Sequence, residues 1–276
     1  MEGHDLIADM NACRLTPGQA AMWWLGQSGF AVKLGRTILY VDAFLSEFPD
    51  RLVAPLLSPA EVVNADAVLG SHDHPDHIDR PAWPAIAGAC PKAVFVVPLL
   101  LREAIARELA LPDKRVTGVD QGVGVTIGDV TITAIPAAHE FLDTDPATGL
   151  SPHIGFLLEG NGLRIYHAGD TCVYEGLHDK LRAFGPDVTI LPINGRDARR
   201  LQAGCIGNMM YQEAVDLAGG LGIAAMIPAH YDMFAINTAS VQECFDYARV
   251  KYPRMNVIVP RHGRRIVLGD TSGTER

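Results

Sequence analysis

The chain has 276 residues, 48% of them hydrophobic and 20% charged, so it is long enough to bury a large core and too apolar to be a disordered tail. Its 23 Lys and Arg stand against 32 Asp and Glu, a formal charge of −9, which argues against a surface for nucleic acid or an anionic membrane. Ten histidines are many for a chain so short of other basic residues.

The N-terminus carries Glu2, Asp5 and Asp9 before any sustained apolar run, unlike a secretory leader, and His4 is expected in a flexible terminus. The most apolar stretch, Ala93 to Leu101, is short and contains Pro98, so no membrane segment is expected. Cys13, Cys90, Cys172, Cys205 and Cys244 are scattered without a C-x-x-C pair, which favours a reducing, cytoplasmic location over a disulfide framework or a cysteine zinc ribbon.

Short β-type runs open the chain: Ala21 to Leu25, Gly29 to Leu34, Thr37 to Val41 and Ala67 to Leu69, with turn signals at Gln27-Ser28-Gly29 and Gly35. A strand at Val94 to Val97 precedes a helix at about Leu99 to Leu109. The middle repeats the style with Gly124 to Ile127, Val130 to Ile135, Ile154 to Glu159 and Leu163 to His167, the last pair turning through Gly160-Asn161-Gly162. Strands then alternate with helices: Val188 to Leu191, a helix near Tyr211 to Leu221, Ala224 to Ile227, a helix near Ser240 to Val250, and Val257 to Val259. With no linker or repeat dividing 1–276, this order predicts a single layered α/β domain with two sheets.

Directly after the strand ending at Leu69 comes Ser71-His72-Asp73-His74-Pro75-Asp76-His77. In an extended segment His72 and His74 share a face and can reach one ion together, while Pro75 starts a tight turn that swings Asp76 and His77 toward a second position. At this chain's own residue frequencies H-x-H-x-D-H arises by chance in about one such chain in a thousand. The same logic, a donor just beyond a strand end, selects His139, Asp170 and His230 downstream. Counting donors gives His72, His74 and His139 for one ion and Asp76, His77 and His230 for another, with Asp170 as the bridge. Nitrogen and oxygen donors without thiolate suit Zn²⁺, Mn²⁺ or Fe²⁺. Two ions roughly 3.5–4 Å apart can hold a hydroxide for hydrolysis.

This order of ligands resembles the metallo-β-lactamase superfamily from Trp24 to about Leu268. The resemblance implies a four-layer αββα sandwich with a dinuclear site at one edge of two mixed sheets, and Asp42 supporting a metal-binding histidine. Trp24 to Phe30, Ile193 to Asp197, Gly207-Asn208-Met209 and Pro228 to Phe234 resemble its L-ascorbate-6-phosphate lactonase branch. That implies a hydrolase opening a sugar lactone and a homo-oligomer. Gly26-Gln27-Ser28-Gly29-Phe30 fails as a serine-hydrolase elbow, and Gly122-Val123-Gly124 lacks the rest of a dinucleotide loop.

In this reading metal-activated hydroxide attacks the lactone carbonyl and Asp76 orients it or carries its proton. Asn194, Arg196, Asp197, Asn208 and Tyr231 contact the hydroxyls or phosphate of a small anionic substrate. Arg200 to Gly207 and Phe141 to Leu150 are the segments where substrate specificity is expected to diverge. Trp23, Trp24 and Trp83 are read as packing residues, and His153, His167, His178 and His262 stay unassigned. The alternatives are a phosphodiesterase or nuclease on the same scaffold, and a metal-holding scaffold without activity.

Overall fold

The computed structural model describes residues 1–269. Its first sheet contains β1 (Ala20–Gly26), β2 (Gly29–Leu34), β3 (Thr37–Val41), β4 (Ala67–Leu69), β5 (Val94–Pro98) and β6 (Val116–Val119). The second contains β7 (Val125–Ile127), β8 (Val130–Pro136), β9 (Ile154–Gly160), β10 (Leu163–His167), β11 (Val188–Pro192), β12 (Ala225–Ala229) and β13 (Asn256–Val257), after which β14 (Arg265–Leu268) returns to pair with β1. Each sheet therefore has seven strands. Both follow one plan, in which antiparallel hairpins lead into parallel strands: β1 to β3 and then β4 to β6, β7 to β10 and then β11 to β13.

Side-chain alternation builds the layers. From β1, Ala20, Met22 and Trp24 enter the core shared with the second sheet, whereas Ala21, Trp23 and Leu25 face a separate core on the outer side. That outer core is closed by α1 (Gly3–Ala12), α2 (Trp83–Ala89) and α3 (Arg102–Glu108) through Leu6, Ile7, Met10, Trp83, Ile86 and Ile105. The helices α4 (Leu177–Phe184), α6 (Tyr211–Gly220) and α7 (Val241–Lys251) cover the second sheet, and the short α5 (Ala198–Gln202) precedes α6. The layers are those of the expected αββα sandwich. Among the described residues no helix is long and apolar enough to cross a membrane.

Several elements differ from expectation. Residues 3–12 are helical, not a loose terminus, because Leu6, Ile7 and Met10 share a buried face and the buried Lys33 ammonium donates to the carbonyls of Met10 (2.8 Å) and Cys13 (2.9 Å) at the helix end. The helix expected from Leu99 is a 3₁₀ turn, Leu99–Leu101, running into α3. α2, α4, α5, β6 and β14 were not anticipated; Gly118 interrupts the apolar run of β6.

Gly70, the residue between β4 and the histidine-rich turn, is fitted closely. A Cβ there would lie 2.5 Å from Ile78 Cγ1, 3.0 Å from the His77 carbonyl oxygen and 3.1 Å from the Trp83 ring. Gly70→Ala is expected to destabilise the protein by about 1–3 kcal/mol, as overpacked cores do, and thermal unfolding reads it directly. An unchanged Tm would mean the turn can move away at no cost.

Candidate metal centre

The functional side chains leave the sandwich at one end, just past the carboxyl ends of their strands: Asp42 after β3, His72 to His77 after β4, His139 after β8, Asp170 after β10 and His230 after β12. Gln27 joins them from the β1–β2 turn. Gln27, Asp42 and His230 all have positive φ (52°, 46° and 57°), so the chain bends out of the strands in a left-handed conformation that these residue types adopt only at a cost. Residues 72–74 are not extended as expected. The His74 amide donates to the His72 carbonyl at 3.0 Å, because β4 has ended and the segment has no strand to pair with. The turn after Pro75 is present, closed by the His77 and Ile78 amides on the His74 carbonyl.

The donors converge in three overlapping groups: His72, His74 and His139; His72, His77 and Asp170; Asp76, His77 and His230, with ligand atoms in each within 4.8 Å of one another. His72 Nε2 lies 2.9 Å and His139 Nε2 3.2 Å from His74 Nδ1. Three nitrogens of a tetrahedral zinc site at 2.0–2.1 Å are separated by about 3.3 Å, so this spacing fits a first-row divalent ion. Asp170 reaches across, with Oδ1 3.3 Å from His77 Nε2 and Oδ2 3.1 Å from His230 Nε2 and 3.8 Å from His139 Nε2. His77 Nε2 and Asp170 Oδ1 are buried and make no hydrogen bond, which an ion between them would satisfy.

The outer contacts fix how these rings face. Asp42, fully buried, accepts from His77 Nδ1 (2.7 Å), from the Ser71 amide (2.8 Å) and from the Ser71 hydroxyl (2.8 Å), which turns His77 Nε2 toward the cluster. The Ser71 hydroxyl also lies 3.0 Å from His72 Nδ1, leaving His72 Nε2 inward. Gln27 Nε2 sits 3.3 Å from Asp76 Oδ2 and 3.4 Å from His230 Nε2.

Charge is distributed unevenly. Burial holds His72 well below the usual imidazole range and pushes His139 down to about 4, so both rings are neutral donors at neutral pH. Burial acts the same way on His77, but Asp170, Asp42 and Asp76 together hold it well above that range. Burial disfavours the Asp170 anion, yet His230 and His77 beside it keep its pKa well below the usual carboxylate value.

A raised folded pKa at His77 stabilises the metal-free protein fully below the unfolded value of about 6.5, and that contribution is lost as pH rises through the folded pKa. Metal needs the deprotonated ring. Binding at pH 7 is therefore expected to release about one proton per chain, and affinity to climb with pH. Calorimetric titrations in two buffers of different ionisation enthalpy measure this, and a buffer-independent heat would contradict it.

Above the cluster is a cavity of about 430 Å³ whose floor includes His74, Asp76, His139, Asp170 and His230. Residues 203–206, inside the segment Arg200 to Gly207 expected to vary with substrate, form part of its wall. The five expected substrate contacts do not line it. Asn194 and Asn208 are buried and bonded to each other (3.2 Å), Asn194 also donating to Asn237 (2.6 Å), so their amides hold loops together. Tyr231 packs on Trp24 with ring centroids 4.9 Å apart. Arg196 pairs with both carboxylate oxygens of Glu213 (2.6 and 2.7 Å), and Asp197 caps α5 through the Arg200 amide (3.0 Å). These two residues face a neighbouring depression of about 360 Å³, together with Phe141 and Leu201.

Sequence reasoning missed Gln27 as a site residue, and missed Phe44, Phe48, Phe234, Ile236 and Asn237 as walls. Gln27 and Phe234 fall inside motifs already singled out, a signal that could have found them. Of the unassigned histidines, His153 stands beside the cluster, its ring 5.4 Å from that of His72 and 5.5 Å from that of His139. His167 Nε2 donates to the Ser28 carbonyl (2.8 Å), His262 stacks on Trp24 at 4.1 Å, and His178 is exposed on α4.

The profile of the family described as Beta-lactamase superfamily domain matches residues 36–231. A UPF0173 metal-dependent hydrolase of Methanoculleus marisnigri is 28% identical over 222 residues, covering 80% of this chain and 84% of that protein. Another of the same description from Archaeoglobus fulgidus is 26% identical over 243 residues, 87% of this chain and 95% of that one. The solved structure of Igni18, a metallo hydrolase from Ignicoccus hospitalis, shares the fold with a TM-score of 0.68 at 20% identity, covering 91% of this chain and 98% of that one.

Proposed function

This chain belongs to the beta-lactamase superfamily, and on that premise we propose that it is a metal-dependent hydrolase of carboxylic esters or lactones. Two divalent ions would be held by these donors, one by His72, His74 and His139 and the other by Asp76, His77 and His230, with Asp170 within reach of both. The observation that carries the reading is the convergence of the three overlapping donor groups at the floor of the cavity. Its relatives' description as metal-dependent hydrolases agrees with it. Mn²⁺ and Zn²⁺ suit the nitrogen and oxygen donors, as does Fe²⁺.

Bound ions supply Lewis acidity at an acyl carbonyl and make water nucleophilic near neutral pH. The chain's own residues supply proton handling and orientation. Hydrolysis joins the water oxygen to the acyl carbon and breaks the acyl–oxygen bond to the alcohol. Asp76, open to the cavity, accepts a proton from the attacking water and returns it to the departing alkoxide. Gln27 donates its amide N–H to Asp76 Oδ2, and the Asp42 contact keeps His77 facing inward.

A phosphorylated sugar lactone has lost the arginine meant to bind its phosphate, since Arg196 is already paired with Glu213 outside the cavity. The bond cleaved is therefore an ester or a lactone, with no phosphorylated sugar required.

Metal analysis after loading should find two ions per chain, and an ester and lactone panel run with Mn²⁺ and with Zn²⁺ should show turnover abolished by chelation. Fewer than one ion per chain in metal-replete buffer would remove the reading. Turnover of bis-p-nitrophenyl phosphate with none of any ester or lactone would transfer it to phosphodiesters.

A further inference from the structure

We propose that the substrate carries an apolar arm, alkyl or aryl, and that the wall of the cavity is built to hold that arm against the metal centre. The inference rests on the hydrolase reading and narrows its substrate class.

Apart from the donors at the floor, the wall is largely hydrocarbon: Phe44, Phe48, Phe234, Ile206 and Ile236. The three phenylalanines are held edge-on in a row, with ring centroids 5.7 Å apart between Phe44 and Phe48 and 5.9 Å between Phe48 and Phe234. Such a row is a preformed apolar surface that costs little entropy to use. Phe48 and Ile236 keep 47% and 41% exposure, large for side chains of this kind beside a buried polar cluster. An apolar group covering them gains the burial that the protein itself leaves unmade.

Charge points the same way. Among the described residues no lysine or arginine lines this cavity. The nearby guanidiniums are engaged elsewhere. Arg51 is stacked on Phe44 and donates to the carbonyls of Phe44, Ser46 and Val53, while Arg200 donates to those of Ile236 and Thr238 and pairs with Asp197. A phosphate or a polyol would find few fixed partners here besides the metal-binding side chains: apart from the Cys205 thiol, the remaining polar side chains of the wall are the amides of Gln27 and Asn237, of which Gln27 Nε2 already donates to Asp76 and Asn237 Oδ1 already accepts from Asn194, leaving Gln27 Oε1 without a partner. The ridge at Cys205 and Ile206 is shared with the neighbouring depression that holds the exposed Phe141 and Leu201, which gives a longer arm somewhere to continue.

The test is binding of product-like carboxylates to the metal-loaded protein by calorimetry, from acetate through butanoate and hexanoate to octanoate, with gluconate 6-phosphate as the polar comparison. Affinity is expected to rise by up to about fourfold per added methylene that the wall buries. Phe48→Ser and Ile236→Ser, both at half-exposed positions and checked for unchanged Tm, should flatten that rise. Equal affinity across the series, or tighter binding of gluconate 6-phosphate than of octanoate, would overturn the proposal. Turnover is scored separately. Tight octanoate binding with no hydrolysis of any ester or lactone would remove the hydrolase reading and leave the apolar wall, whereas hydrolysis indifferent to chain length would do the reverse.

Discussion

Asp76→Asn is expected to lower kcat by about 10²–10⁴-fold, the usual contribution of a positioned general base, in protein matched with wild type for metal content. Asparagine keeps the size and can still offer an oxygen to an ion, but it cannot take the proton of the attacking water. Asp76 lies on the turn after Pro75, open to the cavity, and its Oδ2 is 3.7 Å from both His77 Nε2 and His230 Nε2, so the substitution removes charge without opening a core. The loss should fall on kcat more than on KM. Equal turnover by the metal-matched variant would take Asp76 out of proton transfer and leave it as a ligand only.

The second large effect is at a residue that touches neither ion nor substrate. Asp42→Asn is expected to weaken metal binding by about 10–100-fold, the range found when a carboxylate behind a histidine ligand is removed. The new amide would bring N–H donors toward His77 Nδ1 and the Ser71 hydroxyl, both of which now donate to Oδ2. Asparagine tolerates the positive φ of this position, so backbone strain is not the cause. Competition against a chelator of known affinity measures the change. Wild-type affinity in the variant would show that packing alone orients His77.

How far these residues could be read from sequence depended on how local their chemistry is. His72, His74, Asp76 and His77 were legible because four donors crowd into six positions after a strand, and His139, Asp170 and His230 because each stands just past a recognisable strand. Asn194, Arg196, Asp197, Asn208 and Tyr231 were legible as residue types but not as roles. Arg196 read as a free cation because Glu213, which binds it twice, is 17 residues away. The aromatic wall was not legible at all, since Phe44 and Phe234 come from distant segments and meet only after the two sheets pack. In the fold, alternating β runs announced most strands, while α1 was hidden because its anchor, Lys33, sits on a strand across the outer core.

The mirrored plan of the sheets carries a consequence beyond catalysis. Asp42 and His72 to His77 hang from the first sheet, and His139, Asp170 and His230 from the second, so an ion held by these donors would be gripped from both sides of the sandwich. Metal would then bind the folded sandwich and not the unfolded chain, and free ion at about a hundred times its dissociation constant would add about 2.7 kcal/mol to its stability. Metal starvation would then cost stability as well as turnover, and thermal unfolding with and without a chelator reads the difference.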